Sequence, residues 1–185
     1  MTPRGPDGEL FLWLLRHAKA ASDPPTGGGD HERQLATKGR RDAAALGFRL
    51  RAGDLGFGAD AAPGLLLAST AARTTETAGK VAAALGVPID RRRRLYYGSP
   101  TDVLAEVRTL DDALRAVMVV GHNPATHSLA LELLEEDDCA GRAQLASFPT
   151  CAVALFRTGV TRWRDLASGG ATLAGFSRPP YEPEP

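Results

Sequence analysis

The run Leu10-Phe11-Leu12-Trp13-Leu14-Leu15-Arg16-His17 carries the strongest fold signal in the chain. From Leu10 to Leu15 it is apolar without interruption, as expected of a strand covered on both faces. A strand with one wet face would alternate apolar and polar residues instead. The run is too short to cross a bilayer, which takes about 20 residues of helix. It ends on an arginine beside a histidine, so a buried element delivers a cation and an imidazole to its carboxyl end.

Working outward, Ala116 to Val120 reads as a second buried strand, ending on Gly121-His122, and Leu65 to Ala68 as a shorter third, ending on Ser69. Thr37 to Arg51 has helical periodicity through Ala43, Leu46, Gly47 and Leu50, with Thr37 as N-cap. Ala71 to Leu85 reads as a helix ended by Gly86 and Pro88. Ile89 to Tyr96 holds an edge strand, Thr101 to Leu110 a helix starting near Ser99, and Asn123 to Glu135 another helix. Cys151 to Arg157 and Arg162 to Ala167 look like a closing pair of strands around Thr158-Gly159.

The expected organisation is a flexible N-terminal segment over 1–9, one folded domain over 10–176, and a Pro-rich tail over 177–185 that holds Pro179, Pro180, Pro183 and Pro185. Alternating strands and helices predict an α/β fold, a three-layer α/β/α sandwich with a mostly parallel central sheet. Ligands in such sheets sit beyond the carboxyl ends of the strands. Arg16-His17, Ser69 and Gly121-His122 should therefore converge on one edge.

Composition narrows the partners. The chain has 185 residues and a formal net charge of zero, so no global field favours nucleic acid or an anionic membrane. Any anion site must be local. Met1 to Glu9 lacks a secretory apolar core, which makes a cytoplasmic protein the expectation. Cys139 and Cys151 are too few for a disulfide framework, and with no CxxC or HExxH spacing neither a metal nor a cofactor is expected. The basic run Arg91 to Arg94 lacks the interleaved aromatics of a nucleic-acid surface and reads as a solvated edge or a docking patch for an acidic partner.

The residue types at the three strand ends suit phosphoryl chemistry. A neutral imidazole has a lone pair that can attack phosphorus, which makes His17 the candidate nucleophile. Arg16 and Arg73 can hold the equatorial oxygens in planar forks, where transition-state charge sits. His122, just ahead of a helix start, can donate a hydrogen bond to a phosphoryl group. Ser69 and Thr70 precede the helix carrying Arg73, where capping competes with ligand contact. Asn123 is placed to fix the start of the following helix, with substrate contact as its other candidate role.

These segments resemble the histidine phosphatase, or phosphoglycerate mutase-like, superfamily, and within it the small phosphohistidine phosphatase branch. The resemblance rests on Leu15-Arg16-His17-Ala18-Lys19, Glu32 to Gly39, Ser69 to Ala78, and Val120-Gly121-His122-Asn123-Pro124, in that order. It implies a phosphoglycerate mutase-like fold, His17 as phosphoryl acceptor, and Arg16, Arg73 and His122 as the rest of the pocket. It also sets Arg33 near the pocket mouth as a substrate contact, with Lys19 adding charge beside it.

Departures from the family pattern bear on the substrate. The usual glycine after Arg-His is Ala18, and the usual Ser-Pro is Ser69-Thr70. Larger members carry a carboxylate acid after the third strand, whereas Leu95-Tyr96-Tyr97-Gly98-Ser99-Pro100 has none and Asp102 and Glu106 should run along a helix. An alkoxide leaving group needs a proton, and a positioned acid contributes about 10²–10⁴-fold. A phosphohistidine needs it less. The expected activity is therefore a metal-independent phosphatase acting through phospho-His17 on a phosphorylated substrate such as a phosphohistidine protein. A small-molecule phosphomonoesterase and a non-catalytic phosphate-binding module are the alternatives.

Overall fold

The computed structural model describes residues 8–56 and 58–181. Most of the segment expected to be flexible, residues 1–7, and the last four residues of the expected tail lie outside the described residues. Six strands form one sheet: β1 (Phe11–Arg16), β2 (Leu65–Ser69), β3 (Ile89–Arg92), β4 (Ala116–Gly121), β5 (Val153–Arg157) and β6 (Thr172–Ser177). Their spatial order is β3-β2-β4-β1-β5-β6. The first four neighbours run parallel, and β5 and β6 are antiparallel additions at one side.

Alternation along each strand divides the core in two. Leu12 and Leu14 of β1, Leu67 of β2 and Val117 and Val119 of β4 pack on one face, against Leu129 and Leu133. Trp13, Leu15, Leu66, Ala68, Met118 and Val120 pack on the other, against Ala43, Leu46, Ala78 and Val81. Both faces are thus covered, which is why β1 and β4 read as continuous apolar runs.

The helices α1 (Thr37–Ala52) and α2 (Ala72–Leu85) cover one face. They cross closely at Gly47, where a Cβ would stand 3.0 Å from the Ala84 methyl and 3.1 Å from the Lys80 carbonyl. The short α3 (Arg94–Tyr97) follows β3, and α4 (Pro100–Val107) and α5 (Ala125–Leu133) cover the other face. A last short helix, α6 (Cys139–Gln144), precedes β5. Among the described residues no helix is long and apolar enough to cross a membrane.

The structure corrects several sequence expectations. Arg162 to Ala167 is not a strand: Trp163–Asp165 form a tight helical turn, and Trp163 and Leu166, three residues apart, both enter the core. The Trp163 indole donates to the Leu114 carbonyl at 2.9 Å, which anchors the turn. The strand that closes the sheet on the outer side of β5 is β6, whose weaker apolar pattern reflects its place at the sheet edge. Thr37 is the first residue of α1 rather than its cap, which is Ala36. The end of the expected edge strand forms α3 instead.

Ser177, assigned to the tail from sequence, closes β6, and the chain beyond it folds back. Tyr181 is buried and its hydroxyl donates to the Cys151 carbonyl at 2.5 Å.

Candidate active site

The carboxyl ends of β1, β2 and β4 meet at one edge, as parallel topology requires. His17, next after β1, donates its backbone N–H to the Gly121 carbonyl at 3.0 Å, which locks it beside the end of β4. Thr77 of α2 accepts the Ala18 N–H at 3.1 Å and donates to the Arg73 carbonyl at 2.7 Å. A single threonine thus ties the segment after β1 to the helix that carries Arg73.

Ala18 lies against His17 in a further way: Nδ1 of the ring is 2.8 Å from the Ala18 carbonyl. A carbonyl only accepts, so Nδ1 carries the proton and Nε2 keeps its lone pair. Burial, reinforced by the nearby Arg73 and Arg16 charges, lowers the His17 pKa to about 4. The ring is therefore neutral at physiological pH. His122 packs edge-on to it, with ring centroids 5.1 Å apart. Burial first, then His17 and Arg73, lower the His122 pKa to about 3. His122 Nε2 is 2.8 Å from the buried Ser69 hydroxyl, so Ser69 orients the second imidazole.

The arginines are held by carbonyls and one carboxylate. Arg16 donates through Nη1 to the Phe148 carbonyl at 2.9 Å, and its buried Nε has no acceptor among the described residues. A buried donor without a protein acceptor suits an anion. Asn123 donates to the same Phe148 carbonyl at 2.9 Å, which makes it a brace for Arg16. Arg73 is buried and donates to the Asp30 carbonyl at 2.7 Å and to Asp30 Oδ2 at 2.9 Å.

Arg33 reaches the rim, where Nε and Nη2 donate to the Ala21 carbonyl and Nη1 donates to Asp30 Oδ1 at 2.8 Å. Lys19 stays apart: it is exposed, and among the described residues its ammonium has no hydrogen bond or ion pair. Its backbone matters more, because a Cβ on Gly39 would stand 2.2 Å from the Lys19 carbonyl. Glycine at that point lets α1 pack directly on the segment after His17.

Sequence reasoning missed Asp30, His31 and Tyr96. Asp30 accepts from Arg73, Arg33 and, at 2.9 Å, the Tyr96 hydroxyl. The hydrogen bonds from Arg33 and Tyr96, then from Arg73, hold its carboxyl down to about 2. Burial and the Asp30 bond raise the Tyr96 hydroxyl to about 12, so it remains a donor. The Tyr96 ring stands edge-on to His122 at 5.6 Å and to His31 at 4.7 Å, and His31 Nε2 is 3.0 Å from the Thr70 hydroxyl. One signal was available: Asp30 stands three residues before Arg33, a spacing at which opposite charges pair.

No carboxylate from the Leu95 to Pro100 segment approaches the site, in line with its sequence. Asp102 caps α4 through Ser99 and pairs with Arg94, and Glu106 pairs with Arg92. Those pairs absorb half of the basic run. Asp30 is a carboxylate at the pocket, but one held ionised, so at neutral pH it accepts hydrogen bonds and has no proton to supply.

The arrangement is a neutral imidazole lone pair bordered by two guanidinium groups and a second imidazole, which matches phosphoryl transfer. The sequence profile of the histidine phosphatase superfamily (branch 1) matches residues 12–96. The chain belongs to this superfamily, and it is a hydrolase of the phosphatase class. A structure from Nakamurella multipartitia, provisionally named phosphohistidine phosphatase SixA, superposes with a TM-score of 0.79 at 33% identity, covering 95% of this chain and 99% of that one. A second of that provisional name, from Agrobacterium tumefaciens, gives 0.74 at 27% identity, over 92% of this chain and 98% of the other. An uncharacterized protein of Mycobacterium tuberculosis is 34% identical over 168 residues, 89% of this chain and 99% of that protein.

Proposed function

We propose that the protein takes the phosphoryl group of a phosphohistidine side chain onto His17 Nε2 and releases it to water, acting on protein substrates in the cytoplasm. The observation that carries this reading is the Nδ1 contact with the Ala18 carbonyl, which leaves Nε2 unprotonated. In the first step the Nε2 lone pair forms a bond to phosphorus as the bond to the substrate ring breaks. The leaving ring keeps that electron pair and, with its other nitrogen already protonated, departs neutral. No proton changes hands.

In the second step a water oxygen bonds to phosphorus, the Nε2–P bond breaks, and both water protons leave with the phosphate as its monoanion. His17 regains its lone pair with Nδ1 still protonated. Arg16 and Arg73 would stabilise the equatorial oxygens in both steps, and His122 would donate to them when its Nε2 carries the ring proton. The balance explains why an ionised Asp30 is compatible with turnover: imidazole-to-imidazole transfer needs no general acid, whereas an alkoxide does.

Access supports a macromolecular substrate. Only the short α3 and its following turn join β3 to α4, and Tyr97 at that point is 89% exposed. The provisional names of the two related structures support the same substrate class.

Rapid-quench labelling with a phosphohistidine protein is expected to give an acid-labile adduct on His17 that His17→Ala abolishes. Undiminished label in that variant would overturn the mechanism. Faster turnover of sugar or nucleotide phosphates would favour a small-molecule phosphomonoesterase, and phosphate binding without any turnover a non-catalytic module.

A further inference from the structure

We infer that Asp30, with Tyr96 and His31 beside it, forms a leaving-group subsite that selects a protonated nitrogen heterocycle over a phosphate ester. This rests on the phosphatase reading above and names what that site prefers to release.

The charge pattern is the first argument. Arg16, Arg73 and Arg33 all act on His17 as cations, and each suits a phosphoryl group. Asp30 breaks that pattern with an anion close enough to act on His122. A fixed carboxylate beside a phosphate pocket repels a phosphoryl dianion, a cost that a purely phosphate-binding design would avoid. The repulsion is offset when the leaving group brings its own positive charge.

The second argument is the carboxylate's remaining capacity. Two carboxylate oxygens offer about four acceptor positions. Arg73 and Tyr96 use Oδ2, and Arg33 uses Oδ1. The side chain is 52% exposed, so acceptor capacity is left facing outward. An N–H of a cationic ring fits that position. A charge-assisted hydrogen bond there stabilises the protonated ring that must depart as neutral imidazole.

Shape is the third. Tyr96 and His31 set their rings nearly perpendicular at 4.7 Å, and Tyr97 lies 4.1 Å from Tyr96. Asp30 therefore sits among flat aromatic surfaces, against which a planar ring packs better than a branched sugar.

The test compares wild type and Asp30→Asn on the free amino acid phosphohistidine and on phenyl phosphate. The second compound has a planar leaving group without a ring N–H. Asp30 is half-exposed, so the substitution leaves the core intact. The expected result is a kcat/KM loss on phosphohistidine at least about tenfold larger than on phenyl phosphate, the scale of one charge-assisted hydrogen bond. Equal losses would mean that Asp30 only positions Arg73, and no loss on phosphohistidine would remove it from the subsite; either overturns the inference. Labelling of wild-type His17 by either compound separates the two readings. If His17 labels and the losses are equal, only the selectivity assignment falls, and if it takes no label, the phosphatase mechanism falls with it.

Discussion

Arg73 closes on Asp30 from two sides, with one terminal nitrogen on its main-chain carbonyl at 2.7 Å and the other on its carboxylate at 2.9 Å. The guanidinium is thereby fixed in plane as well as in place, with donors left over for a second anion. Its burial against the Tyr96 ring, 5.9 Å from the guanidinium carbon, adds a further constraint.

Arg73→Lys keeps the charge and loses the planar fork. It is expected to lower kcat by about 10²–10³-fold, the cost of losing a transition-state donor, with a smaller change in KM. Steady-state kinetics on phenyl phosphate checks this. A kcat equal to that of wild type would remove Arg73 from the clamp.

The histidine environments set a pH dependence. Burial lowers His17 to about 4 and His122 to about 3 from an ordinary value of 6.5. Nucleophilic attack needs unprotonated Nε2, so kcat/KM should hold steady from pH 7 down towards 5 and fall only near pH 4. For stability, the unfolded chain binds these protons first. The contribution is complete above pH 6.5 and is lost as pH falls through about 4 for His17 and about 3 for His122. Urea midpoints measured across that range should decline, and less steeply in His122→Gln. An acid limb centred near pH 6.5 would contradict the desolvated site.

Much of this was legible in the chain. The continuous apolar runs of β1 and β4 announce strands buried on both faces, and parallel topology then forces Arg16, His17, Ser69 and His122 to one edge. Local patterns could not show which side chains bridge distant loops. Asp30, in a Gly-rich loop, meets Tyr96 across 66 positions of sequence. Nor could pattern alone separate Trp163 in a buried turn from Trp163 in a strand, because both place an apolar residue in the core. The edge strand β6 escaped for the opposite reason: half-wet and containing Gly175, it has little apolar signal.

Gly39 sits where α1 presses on the backbone just after His17. In Gly39→Ala the new methyl would stand 2.2 Å from the Lys19 carbonyl and 2.9 Å from its nitrogen, both rigid main-chain atoms. Overpacking of this kind costs about 1–3 kcal/mol. The displaced segment includes Ala18, whose carbonyl holds His17 Nδ1, so kcat should fall together with the thermal midpoint. Calorimetry and kinetics on the same preparation test the pair of effects. Loss of stability with full kcat would show that Ala18 is insulated from the contact.

Tyr181 links the end of the described chain to the same site. Its hydroxyl donates to the carbonyl of Cys151, whose own N–H points at the carbonyls of Arg16 and His17, each at 3.1 Å. Cys151 holds a φ of 64°, a left-handed conformation that a side-chain-bearing residue adopts at a cost, so its neighbours must fix it there. Tyr181→Phe removes the donor and leaves a buried carbonyl short of a partner, an expected loss of about 1–3 kcal/mol. Truncation after Pro180 also removes the buried ring and should cost more. Because Cys151 braces the end of β1, both variants should lower kcat as well as the urea midpoint, in the same rank order. A truncated protein as stable and as active as the full chain would show that β5 holds Cys151 without the returning segment.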